Sequence, residues 1–158
     1  MEKIKIYQAK NEPVLSYMKG SKERSDVEET YNQMFNSRVD IPLYLGSEKI
    51  LTNERKNILP PHDHKNVVGT YSIANKKHVE NAIENNLKVK ESWSNMHWSE
   101  RCDIFLKAAD LVSKEYRAKI TAGTMIGQSK NIFQAEIDAA CEFADFLRFN
   151  VSYLTEIY

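Results

Sequence analysis

Residues 127–150 read GQSKNIFQAEIDAACEFADFLRFN: a helix stop, a short turn, then a long helix. Phe133, Ile137, Ala140, Ala144, Leu147, Val151, Leu154 and Tyr158 follow a three-four spacing, which predicts one continuous apolar stripe. Ile132, Ala139, Phe143 and Phe146 widen the stripe beyond what a surface helix needs. A helix this apolar calls for cover on more than one side, and its pattern is still running at Tyr158. The expectation is that further polypeptide covers it and that the chain is a piece of a larger protein.

Upstream, residues 1–20 form an extended, irregular arm punctuated by Pro13 and Gly20. Residues 21–36 read as a helix with Val27, Tyr31, Met34 and Phe35 on its apolar side, and Ser25 and Glu28 have capping-box spacing. Residues 41–45 read as a strand, Gly46-Ser47 as a tight turn, and a second strand runs through Ile50 and Leu51. The resulting hairpin needs a partner surface to be stable. Pro60-Pro61 breaks the chain. Residues 67–73 read as one more strand.

Asn75 is a good N-cap for a helix carrying Val79, Ala82, Ile83, Leu87 and Trp93. Ser99 is expected to cap the next helix, with Cys102, Phe105, Leu106, Ala109, Leu111 and Val112 facing inward. A further helix covers 116–126, with Gly127 as its left-handed cap and Ser129 capping the last helix. Three segments result: the arm at 1–20, a helix plus hairpin at 21–59, and a helical portion at 60–158. The segment is mostly α-helical, with a hairpin and one further short strand. It lacks the strand-helix alternation of a complete parallel sheet.

Composition narrows the function classes. Lys plus Arg and Asp plus Glu both number 22 among 158 residues, so the net charge is zero. That gives no electrostatic reason to expect nucleic acid or an anionic membrane as partner. No apolar run approaches the roughly 20 residues that span a bilayer. The N-terminal MEKIKIYQAK has neither a signal core nor a transit pattern. Cys102 and Cys141 fall inside predicted helices without a CxxC pair, which fits a reducing compartment. The Asn150-Val151-Ser152 sequon lies inside the long helix and reads as chance.

Several residues invite a chemical reading. His62 and His64 could ligate a metal, but no Cys or His cluster accompanies them, and a solvated loop is the plainer reading. Cys141 and Cys102 could be nucleophiles, yet nothing nearby in sequence supplies a base or an oxyanion hole, and both read as buried core residues. The 127–130 turn has one glycine where a phosphate loop needs several. Asp138, Glu142 and Asp145 share the side opposite the apolar stripe, with no Lys or Arg there to offset them and with Phe146 and Phe149 on the same flank. This flank is either an exposed acidic strip or the wall of a cleft whose carboxylate receives a partner.

From Asn11 onward the chain resembles the N-terminal part of the delta-1-pyrroline-5-carboxylate dehydrogenases, a branch of the aldehyde dehydrogenase superfamily. The strings are NEPV at 11–14, GSKER at 20–24, RCDIFLKAADLVS at 101–113, TMIGQSK at 124–130 and QAEIDAACEFADFLRFN at 134–150. The resemblance implies an α/β parent fold, NAD as cofactor, and oxidation of glutamate γ-semialdehyde to glutamate in proline breakdown. It also implies a homodimer in the mitochondrial matrix. The family's nucleophilic cysteine, general base, oxyanion Asn and nucleotide loops have no matching positions here, so no catalytic, NAD-binding or metal-binding residue is carried over. Glu142 alone is, as the family glutamate bordering the aldehyde pocket. A stand-alone helical binding or assembly module derived from such an enzyme is the alternative from another class.

Overall fold

The computed structural model describes residues 7–158; the first six positions of the expected extended arm lie outside the described residues. In chain order the elements are α1 (Lys22–Asn36), β1 (Val39–Ile41), β2 (Leu43–Leu45), β3 (Glu48–Ile50), β4 (Arg55–Ile58) and β5 (Gly69–Ser72). Then come α2 (Lys76–Asn95), α3 (Trp98–Ser113), α4 (Arg117–Gln128), α5 (Ile132–Ala135), a π-helical segment (Glu136–Cys141) and α6 (Glu142–Ile157). The chain is mostly helical and divides into two compact units, residues 33–97 and a unit built from the described residues before 33 together with 98–158.

In the larger unit α3 packs chiefly on α6, and α4 packs on α5 and the π segment. Ala109, Ala122, Ala135, Ala140 and Ala144 are all fully buried at these contacts. Side chains this small let helix axes approach closely, and Cys102, Val112, Ile126 and Val151 fill the remaining space. The predicted stripe is therefore real along its middle. Its ends are not covered: Phe133 is 54% exposed and Tyr158 57%. Of the flanking residues, Phe143 and Phe146 are exposed too.

In the smaller unit β5 is central: β1 pairs with it in parallel and β4 antiparallel. β2 and β3 form the expected hairpin, Leu43 opposite Ile50, with Gly46 at φ 63° in its turn. Ile41 belongs to β1 rather than to the hairpin. β1 and β4 went unanticipated because neither strand shows the alternation of a half-buried strand; every β1 residue is exposed, and β4 reads RKNI.

Several local expectations are corrected. Ser25 and Glu28 do not form a capping box; the Ser21 hydroxyl accepts from the Arg24 N–H (3.4 Å) at the true start of α1, and Glu28 pairs with Arg24 instead. Ser99 does not cap α3, which starts at Trp98, whose indole stacks on the Tyr158 ring at 5.4 Å. Phe105 is 41% exposed rather than inward. Gly127 is helical, and the left-handed position after α4 is Ser129 at φ 55°. Asn131, not Ser129, caps α5, through reciprocal bonds with Gln134. Asn75 does cap α2, in a capping box closed by His78. No residue of α2 is buried, and Val79, Ile83 and Leu87 stand more than half exposed.

Glycine at 69 has a steric reason. A methyl group there would meet the Val39 carbonyl oxygen at 2.3 Å and Val39 Cγ1 at 2.9 Å. At Gly127 it would meet nothing within 4 Å. Gly69→Ala is therefore expected to cost about 1–3 kcal/mol by forcing β1 from β5. Gly127→Ala, in a helical turn, is expected to stabilise by up to about 1 kcal/mol. Urea unfolding of the two variants measures both, and equal midpoints would contradict the sheet register.

Candidate functional site: a buried ion network beside an acidic cavity

Glu136 opens the π segment and has no solvent exposure. A lone carboxylate there would be prohibitively costly, so its partners decide whether this unit can fold. Arg117, from the first turn of α4, supplies them: Nε donates to both oxygens at 3.2 and 3.3 Å, and Nη2 donates to Oε1. The Tyr17 hydroxyl donates to Oε2 at 2.6 Å, and the Leu15 N–H donates to Oε1 at 2.9 Å.

The network continues into the arm. Arg117 Nη1 meets Glu12 Oε1 at 2.6 Å, and its Nη2 donates to the Pro13 carbonyl at 2.7 Å. The other Glu12 oxygen takes Arg148 Nη1 of α6 at 2.6 Å, and Arg148 Nη2 donates to the Ser113 hydroxyl at 3.1 Å. Two carboxylates and two guanidinium groups thus balance in a site largely closed to water. The expected irregular arm is irregular but not free. Residues 11–17 are stitched to α4, the π segment and α6 by side chains. Tyr17 sits in the left-handed region at φ 51°, a strained position for a tyrosine, and burial of its ring and its bond to Glu136 hold it there.

Protonation follows from this geometry. For Glu136 burial pushes the pKa up, but the Arg117, Tyr17 and Leu15 hydrogen bonds outweigh it and hold the carboxyl below its usual range. For Arg117 burial works against the charge, and the bonds to Glu136 and Glu12 more than restore it. Burial, then Glu136, raise the Tyr17 phenol.

The π turn sets the inner face. Its i→i+5 bonding places residue 141 beneath residue 136, and Cys141 Sγ lies 3.6 Å from Glu136 Oε1. Burial, and then the neighbouring Glu136 charge, push the Cys141 thiol up to about 12. Burial raises Cys102 as well. Both thiols are buried and stay protonated, so neither offers a thiolate nucleophile.

The acidic flank resolves into three different fates. Asp138 pairs with Lys130 Nζ at 2.6 Å, which corrects the expectation that no cation offsets that side; Lys130 reaches it from the turn before α5. Asp145 accepts from Asn11 Nδ2 at 2.8 Å and from the Glu12 N–H at 2.6 Å. Glu142 is exposed and faces a cavity of about 390 Å³ that it lines with Asn11, Asp145, Phe146, Phe149, Asn150 and Tyr153. A carboxylate among three aromatic rings and two side-chain amides is equipped to bind and orient a small polar molecule. Asn150, of the sequon, lies within α6 at this cavity. His62 stacks on Phe35 at 6.0 Å, and among the described residues no three His, Cys, Asp or Glu side chains gather as a metal site.

Sequence reasoning found the acidic flank and missed the network. One signal was present: a glutamate flanked by Ala135 and Ile137 in AEIDAA, and an arginine in YRAKITA, both destined for inward faces. For Glu12 there was none.

The aldehyde dehydrogenase family model matches residues 51–158. The delta-1-pyrroline-5-carboxylate dehydrogenase of Agaricus bisporus is 43% identical over 156 residues, 98% of this chain and 29% of that protein. The protein of Dictyostelium discoideum named delta-1-pyrroline-5-carboxylate dehydrogenase, mitochondrial, is 42% identical over 94% of this chain and 26% of its own length. Among solved structures, the Delta-pyrroline-5-carboxylate dehydrogenase from Mycobacterium tuberculosis bound with NAD and cobalamin superposes with a TM-score of 0.93 at 36% identity. It covers 97% of this chain and 29% of that one. The chain spans under a third of the length of the relatives it matches.

The network makes stability depend on pH in a definite direction. The Glu136 carboxyl is held below its unfolded value of about 4.3, so its contribution is complete above that value and drains away as pH falls from there through the lower folded value. Wild-type urea midpoints are expected to fall progressively as the pH is lowered below about 4.3. Glu136→Gln, which leaves Arg117 under-compensated, is expected to cost about 3–5 kcal/mol at neutral pH and to flatten that slope. An unaltered slope in the variant would show that Glu136 is not the titrating group.

Proposed function

The chain belongs to the aldehyde dehydrogenase family, and from that premise we propose that it forms the N-terminal part of an NAD-dependent L-glutamate γ-semialdehyde dehydrogenase. The reaction would convert the open form of 1-pyrroline-5-carboxylate to glutamate in proline catabolism. The observation that carries this reading is branch-level similarity over nearly the whole chain, at 43% identity to a relative of that name. Residues 60–158 would be the helical beginning of the nucleotide-binding domain. A homodimer in the mitochondrial matrix fits the same reading, and a relative named as mitochondrial supports the compartment.

Within that enzyme the role of this segment is binding rather than bond-making. Glu142 would border the aldehyde pocket, its carboxylate and the rings of Phe146 and Phe149 orienting the substrate. Cys141 and Cys102 are unsuited to attack an aldehyde, since each thiol is buried and protonated. NAD would serve as the hydride acceptor. The 127–130 turn does not fit its pyrophosphate: Gly127 is helical, Ser129 takes the left-handed position, and no run of glycines lets backbone approach phosphate. Residues outside this chain would hold it.

A second reading, a stand-alone helical assembly module, is favoured by one observation, the exposed Val79, Ile83 and Leu87 of α2. Turnover separates the two. A full-length protein carrying this segment is expected to reduce NAD with 1-pyrroline-5-carboxylate, whereas the purified 158-residue chain is expected to be inactive. Glu142→Ala is expected to raise the KM for the aldehyde about tenfold. Absence of NADH production by the full-length protein would overturn the enzyme reading, and turnover by the short chain would overturn the division of labour.

A further inference from the structure

One wall of the Glu142 cavity comes from the far end of the chain. Asn11 lines that cavity, yet residues 7–18 form no helix or strand, so no backbone ladder holds Asn11 in place. Side chains do. Asn11 Nδ2 donates to one Asp145 oxygen at 2.8 Å, and the Glu12 N–H donates to the other at 2.6 Å. Glu12 in turn gives each of its carboxylate oxygens to a different arginine, Arg117 of α4 and Arg148 of α6, at 2.6 Å each. Residues 11 and 12 are thereby fixed from several directions at once.

We propose that Asn11 and Asp145 are positioning residues for this cavity. Their pair, backed by the Glu12 clamp, closes one wall and keeps the Asp145 charge turned toward the arm, and this sets how readily a substrate that itself carries a carboxylate is accepted. The inference rests on the reading of Glu142 as a substrate-facing residue.

Charge placement is the physical core of the idea. Glu142 and Asp145 stand three residues apart on α6, where like charges repel. With both oxygens occupied by N–H donors, Asp145 spends its charge on the arm, and Glu142 remains the carboxylate that faces the cavity without a described partner. Freeing Asp145 would add a second negative charge to the same space and remove the Asn11 wall together. An anionic substrate would meet both losses.

Asn11→Asp sets a like charge against Asp145, and the double variant Asn11→Asp with Asp145→Asn restores a donor-acceptor pair with reversed polarity and the original net charge. In the full-length protein, Asn11→Asp is expected to raise the KM for the aldehyde about tenfold, with the KM for NAD and the melting temperature little changed. The double variant is expected to recover most of that loss. A purely structural role would move the melting temperature and both KM values together, and that result overturns the proposal, as does an unchanged aldehyde KM or failure of the double variant to recover.

Hydrogen exchange at the Glu12 amide reads the wall without turnover. It is expected to quicken in Asn11→Asp and slow again in the double variant. If the full-length protein oxidises no aldehyde, the functional reading fails, and this exchange pattern alone decides the positioning claim: unchanged exchange overturns it.

Discussion

Glu136 is sealed from solvent, and a carboxylate in that position must find its counter-charge and all of its hydrogen bonds inside the protein. What it finds fixes the larger unit. Arg117 brings the start of α4 against the π segment, and Tyr17 and Leu15 bring in an arm that has no regular structure of its own. Arg117 then shares Glu12 with Arg148, so α6 joins the same network. Removing any one of these charges would leave another buried without its match. That is a stronger constraint than the apolar contacts impose, because a missing methyl group leaves a cavity, whereas a missing counter-ion leaves an uncompensated charge.

The same constraint explains what could be read from the sequence. The stripe of the last helix was legible because period and residue size agree: Ala140, Ala144 and Val151 are small enough to be buried against α3. The acidic flank with Phe146 and Phe149 was legible from helical spacing, and its Glu142 and Asp145 do line a cavity with those rings. The anchoring of the arm was not. Its order comes from partners more than a hundred positions away, such as Glu12 with Arg117 and Arg148, and no local pattern encodes such a pairing. The π turn was invisible for a related reason: the groups it brings together, Glu136, Cys141 and Arg117, meet through tertiary contacts that no local pattern encodes. Turn chemistry misled in the opposite sense at 127–131, where the one glycine stays helical and a serine takes the left-handed position.

Function divides along the same lines. The network is internal, charge-balanced and fully occupied, so it has nothing left to offer a ligand. The cavity on the outer side of α6 keeps an exposed carboxylate and aromatic surface. In the proposed enzyme the first would serve as the frame and the second as part of the pocket. The exposed apolar side of α2 belongs to neither.

The most direct measurement is native-state hydrogen exchange at Leu15. This amide lies in a stretch without helix or strand, and its acceptor is the buried Glu136 carboxylate. If the ion network holds the arm, the Leu15 amide opens only with the whole unit, with an opening free energy equal to that of the buried α6 amide at Val151. Exchange at the rate of an unstructured segment, while Val151 stays protected, would contradict the account.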